Sequence, residues 1–310
     1  MLKFSVEVGP KGSATDYDTL RNICLECERL GYNAVYLPDG VQWTDFECWT
    51  ALSHIAASTE ALRLGPAVTF VTYRHPLILA KMAATLDVLS DGRLEFRLGA
   101  GGSGVLIDRV HCGISLPEPI LRVEMLGEGI HVIKKLWREE KVTFKGKHFV
   151  TKDATCDPKP LQKPYPPITV SATSKRMLRI AAEHSDIWEV SESLNDYRWK
   201  VEVFKDYCKE FGRDADSIVR AFEVTVVIAK SDREAEEMAK KYQSKRVNTK
   251  GYGFNPLKNA IIGCPDHCVE KIMEYRRAGV SSFTILFIGL KELEPLRLFA
   301  DYVIPAVKNM

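Results

Sequence analysis

The 310-residue chain has no long apolar run: no stretch approaches the roughly 18 to 20 consecutive apolar residues that a membrane-spanning helix needs. The segment from Met1 to Gly9 is too short in its apolar part, and wrongly flanked, for a secretory leader; it reads as a first strand. A cytoplasmic protein is the expectation. Neither sign of charge is in excess, with 43 basic and 41 acidic residues and a net charge of +2, so neither nucleic acid nor an anionic membrane is an expected partner. There is no internal repeat of solenoid length. The glycine cluster Gly99-Ala-Gly-Gly-Ser-Gly104 lacks the following Lys-Ser or Lys-Thr of a P-loop. The 8 cysteines include two close pairs, Cys24 with Cys27 and Cys264 with Cys268 around His267, but nothing else calls for a zinc site. They read as reduced, packed thiols, and no metal is expected.

What is present is a 45% hydrophobic, 27% charged composition, the profile of a globular protein with a substantial core. Runs rich in β-branched residues fall at Lys3–Val8, Ala34–Leu37, Leu64–Val71, Leu94–Leu98, Ile168–Ser171, Ile187–Val190, Phe222–Ile228 and Ser282–Phe287. Between them lie segments of helical period, for example Asp16–Leu30, Pro76–Leu89, Ile120–Trp137 and Asp266–Ala278, with a closing helix over Glu292–Val303. Val142–Val150 reads as a hairpin inserted before the fifth strand. Eight alternating strands predict a (β/α)8 barrel spanning residues 1–310 as one domain, with a doubly wound open sheet as the competing topology. The proline-rich stretch Pro158–Pro167 is extended and stiff, and the alternation resumes after it.

In such a barrel the site lies at the carboxyl ends of the strands. Those ends select Glu7, Asp39, Thr69 to Thr72 with Arg74 and His75, Gly99 to Gly104, Ser171 to Ser174, and Ser191. Gly99 to Gly104 spells Gly-x-Gly-x-x-Gly, but the pattern predicts no helix directly after it. It serves either close backbone approach to a planar ligand or a flexible turn. Ser171-Ala-Thr-Ser174 offers a phosphate site at a helix start or an ordinary N-cap by Thr173 or Ser174. His75 is either a ligand or the cap of the helix opening at Pro76. Glu7, a carboxylate facing a barrel mouth, is paired or functional. The basic residues between Lys240 and Lys250 form a solvated helix end and loop, or meet an anionic cofactor tail.

Seven segments in order carry a resemblance. They are Ala34-Val-Tyr-Leu-Pro-Asp39, Leu64-Gly-Pro-Ala-Val-Thr69, Arg74-His-Pro76, Ala84-Thr-Leu-Asp-Val-Leu-Ser-Asp-Gly-Arg93, Leu98-Gly-Ala-Gly101, Ile180-Ala-Ala-Glu-His-Ser-Asp186 and Gly263-Cys-Pro-Asp266. Together they resemble the bacterial luciferase-like family over nearly the whole chain. Phe4-Ser-Val-Glu7 and Thr69 through Pro76 are similar to its methylenetetrahydromethanopterin reductase branch, which uses the deazaflavin coenzyme F420 and forms dimers or higher homo-oligomers. The resemblance implies a cofactor held by Asp39, Thr69, Phe70, Thr72, Gly101, Gly102, Ser171, Ala172, Thr173, Ser174 and Ser191, with Glu7 as the catalytic residue, either the acid or the group that stabilises a cationic intermediate. Thr69-Phe70 would be the bulge, often with a cis peptide, that props up the ring. Two departures stand out: Gly40 where relatives usually have histidine, and Gly104 where some deazaflavin dehydrogenases place a glutamate. Trp43 either lines the pocket or belongs to the core.

The activity implied is hydride transfer between coenzyme F420 and a small substrate such as a methylene-tetrahydropterin. The alternatives are an FMN-dependent monooxygenase and a non-catalytic flavin-binding protein, the latter favoured by Gly40 and Gly104.

Overall fold

The computed structural model describes residues 2–9, 12–246, 255 and 257–308, the side chains of 103–105, 107, 245 and 246 excepted. Lys250 and much of the stretch between Ser244 and Ile262 lie outside the described residues. In chain order the strands are β1 (Lys3–Glu7), β2 (Ala34–Leu37), β3 (Arg63–Pro66), β4 (Thr69–Phe70), β5 (Phe96–Gly99), β6 (Val142–Lys145) and β7 (Val150–Ala154). They continue with β8 (Ile168–Ser171), β9 (Ile187–Val190), β10 (Val219–Ile228), β11 (Ile261–Gly263) and β12 (Ser282–Phe287). The helices are α1 (Tyr17–Arg29), α2 (Cys48–Ser58), α3 (Pro76–Leu89), α4 (Ser103–Cys112), α5 (Pro119–Arg138) and α6 (Lys175–His184). After them come α7 (Leu194–Glu210), α8 (Asp232–Arg246), α9 (Pro265–Arg277), α10 (Glu294–Leu298) and α11 (Ile304–Lys308).

The sheet runs β3-β2-β1-β12-β10-β9-β8-β5-β4, all parallel. Its two ends, β3 and β4, are consecutive pieces of one strand interrupted at a cis Ala67–Val68 bond. A parallel bridge from Leu64 to Leu94 completes the ring. The expected (β/α)8 barrel is therefore what forms, and the open sheet is not. β11, unexpected from the sequence, sits outside the ring on the far end of β10, with Val226 opposite Ile261. The hairpin β6–β7 is antiparallel, as expected. Glu128 of α5 accepts from the backbone N–H groups of Lys147, His148 and Phe149 and so holds it in place.

Two other expectations need correction. A helix does open directly after the glycine cluster, because α4 begins at Ser103 and ends at the left-handed Gly113. The closing helix is broken into α10, a π-helical turn Phe299–Val303 and α11. Pro305 has no N–H to give the carbonyl four residues back, and the helix widens just before it.

Outward-pointing strand residues make the main core with the helices. Phe4 meets Phe299 at 5.5 Å, Trp188 stacks on Phe204 at 4.4 Å, and Phe222 meets Tyr275 at 4.1 Å. Each such side chain, fully buried, contributes about 1.5–3 kcal/mol relative to exposure. Strand side chains alternate, so the residues between these aromatics point into the barrel. Those inward residues are Ser5, Glu7, Tyr36, Arg97, Glu189, Glu223 and Thr284. The barrel interior is polar, and this is what positions the site.

Candidate active site

Several inward charges are paired, although Arg97 Nη1 has no hydrogen-bond partner among the described residues. Arg97 and Glu189 are each 1% exposed and form an ion pair, while Thr284 Oγ1 donates to Glu189 at 2.7 Å. The Arg97 guanidinium lies over the Tyr36 ring, 3.7 Å from its centre. Nearer the amino-terminal end, Glu95 accepts from Arg63 at 2.8 Å, from Asn33 at 3.3 Å and from the Tyr36 hydroxyl. Burying a charge without such partners costs several kcal/mol, so these groups specify the barrel's interior.

Glu7 and Glu223 differ. Neither accepts a hydrogen bond from another described residue. Register puts Ser5 opposite Thr284 and Thr284 opposite Glu223, with Glu7 one pleat further toward the carboxyl end on the same inward face. Burial, then the neighbouring Glu223 carboxylate, push the Glu7 carboxyl well above its usual range, with Arg97 opposing. Glu223 is raised to about 7 by burial and by Glu189, again against Arg97. With Glu189 committed to Arg97 and Thr284, both Glu7 and Glu223 keep their protons above the ordinary carboxylate range. The sequence reading found Glu7 and missed Glu223.

Just past β2, the strand next to β1, Asp39 is 3% exposed and accepts from Thr69 Oγ1 at 2.5 Å and from Arg74 at 2.6 and 3.0 Å. These bonds to Asp39 outweigh burial in raising the Arg74 pKa. Thr69 and Phe70 are not the expected bulge. They form β4, in register with Leu98 and Gly99, and the cis bond lies at Ala67–Val68. The break suits that place, since Gly99 alone leaves room there: a Cβ on it would sit 2.7 Å from Val68 Cγ2. Phe70 packs edge-on to Tyr73 at 5.3 Å. Thr72 Oγ1 is buried without a partner among the described residues. His75 caps α3, its Nδ1 accepting from Leu77 N–H at 3.2 Å.

Gly101 has a φ of 88°, which suits glycine, and its carbonyl accepts from Arg122 at 3.2 Å. Gly102 is exposed, and a Cβ there would meet nothing within 4 Å. Gly104 lies in the first turn of α4. Ser171 ends β8, Ala172 is buried, and Thr173 and Ser174 are exposed at the start of α6. The Ser174 hydroxyl caps that helix through Met177 N–H. Ser191 is exposed just past β9. The sequence-selected residues lie at or just past the carboxyl ends of their strands, and no hydrogen bond or ion pair among the described residues joins the Ser171–Ser174 group to Asp39. Asp108 of α4, which the sequence reading passed over, anchors the loop after β2 by accepting from Val41 and Gln42 N–H groups, each at 3.0 Å.

A parallel eight-position barrel with charged residues inside and polar groups around its carboxyl-end rim is a (β/α)8 scaffold of the kind that carries its site at the carboxyl ends of the strands. The family model for luciferase-like monooxygenases matches residues 1–282, and the chain belongs to that family. Among solved structures it is similar to the coenzyme F420 dependent tetrahydromethanopterin reductase from Methanopyrus kandleri, at 22% identity and a TM-score of 0.84 over 99% of each chain. An F420-dependent secondary alcohol dehydrogenase is similar at 18% identity and a TM-score of 0.82, also over 99% of each chain. The EDTA monooxygenase from Chelativorans sp. BNC1 is similar at 16% identity and a TM-score of 0.82, over 99% of this chain and 93% of that one. At these identities the likeness is one of fold. No helix among the described residues is long and apolar enough to cross a membrane.

Proposed function

We propose that the chain is a coenzyme F420-dependent oxidoreductase that moves a hydride between the deazaflavin and a small electrophilic substrate, a methylene-tetrahydropterin being the model case. The observation that carries this reading is the pair of inward carboxyls, Glu7 and Glu223, which accept no hydrogen bond from the described residues while the Glu95 and Glu189 carboxylates beside them are fully engaged. An acid that keeps its proton is what delivers one to a substrate nitrogen in a step coupled to hydride transfer.

The residues present fit a flavin-type cofactor. Thr72 Oγ1 is an unsatisfied buried hydroxyl on the expected ring side, and the open space at Gly102 permits close backbone approach. Thr69 and Phe70 would back the ring, with Asp39 holding Thr69 in place. Gly101 and Gly102 would line its approach, and Ser171 to Ser174 with Ser191 would meet its polar side chain or phosphate. When bound, the deazaflavin supplies a carbon at C5 that accepts or donates hydride. The chain's contribution is to orient the reacting carbons about 3–3.5 Å apart and to exclude water. Glu7 would hold the proton at the substrate side.

An FMN-dependent monooxygenase is the second reading, favoured by the family's membership and by the apolar cluster of Trp43, Phe70, Tyr73 and Leu116 at the rim. Parallel titration of the purified protein with coenzyme F420 and with FMN, followed by fluorescence, separates the two. Micromolar or tighter binding of F420 alone is the expected result. A preference for FMN would move the assignment to the monooxygenase, binding of neither would overturn both, and tight binding without turnover would favour a non-catalytic binder.

A further inference from the structure

Asp108 has no exposed surface, yet it belongs to a helix that follows the barrel strand rather than to the barrel. Its carboxylate collects four donors from two other parts of the chain. Oδ2 accepts from Val41 N–H at 3.0 Å, from the Trp43 indole N–H at 3.2 Å and from the Tyr73 hydroxyl at 2.8 Å. Oδ1 accepts from Gln42 N–H at 3.0 Å. Hydrogen bonds to an ionised acceptor are roughly twice as strong as neutral ones. The loop after β2, the turn after β4 and the helix after β5 are thereby joined at one carboxylate. Burial and Asp108 together push the Tyr73 phenol well above its ordinary range, so it stays a donor.

The clamp determines where Trp43 lies. The indole covers Gly40 so closely that a Cβ there would be 2.3 Å from Cε2 and 2.4 Å from Nε1. The ring therefore fills the volume that any side chain at position 40 would take. Trp43 also joins Val68, Phe70, Tyr73, Ile114 and Leu116 in an apolar cluster separate from the main core. One side of the mouth is thus an aromatic wall, facing a carboxylate side made by β1 and β10.

We propose that Asp108 is the positioning residue of this wall, holding the Trp43 indole over Gly40 as the surface that a bound planar ring meets. The proposal rests on the mouth being the ring-binding site. Both carboxylate oxygens face N–H donors, so an amide at 108 would turn its own N–H₂ on one of them. A role in packing alone would survive D108N; the positioning role would not.

The test uses the full chain with D108N and D108A, each also in a W43F background so that the emission and acrylamide quenching of Trp43 are obtained by difference. Both variants are expected to expose the indole, and to weaken binding of whichever of F420 or FMN the parent binds by roughly tenfold. Should D108A fail to fold, D108N carries the same reading. An unchanged Trp43 signal, or a changed signal with unchanged affinity, would overturn the proposal. If the parent binds neither compound the cofactor reading fails by itself. The Trp43 signal then decides the clamp: movement in D108N supports it, and no movement overturns it.

Discussion

Two sets of carboxylates share the interior of this barrel and are treated differently. Glu95 and Glu189 are enclosed and completely engaged, by Arg63, Asn33 and Tyr36 in one case and by Arg97 and Thr284 in the other. Glu223, opposite Thr284, and Glu7, one pleat further toward the carboxyl end, have no hydrogen-bond donor from the described residues, and burial and neighbouring carboxylates raise both above the ordinary range. The first set is an internal scaffold. The second is chemistry left open to the mouth. A saturated charge stabilises what surrounds it, whereas an unsatisfied acid is tolerated at a cost and is the better marker of function.

The sharpest way to break this contrast is at its shared partner. R97A leaves Glu189 buried without its cation and removes the one charge that opposes protonation of Glu7 and Glu223. Losing one member of a buried ion pair costs about 3–5 kcal/mol, and denaturant unfolding should show a loss of that order. A loss below about 1 kcal/mol, the range of an exposed pair, would contradict a scaffold role.

E223Q should act in the opposite direction, and only over part of the pH range. Glu223 carries a pKa near 7 in the fold against an ordinary 4.5. Below about 4.5 both folded and unfolded forms are protonated, so the group costs nothing there. Between 4.5 and 7 the unfolded chain releases a proton that the folded one retains, so stability falls as pH rises, then levels off above 7. Replacing the acid with the amide removes that fall. At pH 8 the variant should be more stable than the parent by about 3 kcal/mol, and at pH 4 equal to it. Identical profiles at every pH would show that Glu223 ionises freely.

Much of this was legible in the sequence because alternation of strands and helices is a whole-chain signal. The eight barrel strands and the hairpin follow from it, and the caps made by His75 and Ser174 were each one of two readings that the local sequence offered. The losses have particular causes. Helix α4 begins inside a glycine cluster and draws its support from Asp108 binding distant loops, which no local pattern reveals. The cis bond falls two residues before Thr69, because β4 resumes ladder pairing at once. Glu223 escaped a search confined to strand ends. β10 runs on past Glu223 to pair with β11, so Glu223, opposite Thr284, is mid-strand and not at a strand end. The signal was nonetheless there, in Phe222-Glu-Val-Thr225, Ile187-Trp-Glu189 and Leu94-Glu-Phe-Arg97, where charged residues alternate with core residues.

The central claim is that Glu7 holds a proton at the mouth near neutral pH, and infrared difference spectroscopy of the parent against E7Q at pH 6 tests it without any substrate. The account predicts loss of a protonated carboxyl C=O band in E7Q, with that band fading in the parent only as the pH is raised well beyond the ordinary carboxylate range. Loss of carboxylate bands alone would show that Glu7 is ionised, and the mouth would then not be the acid site described.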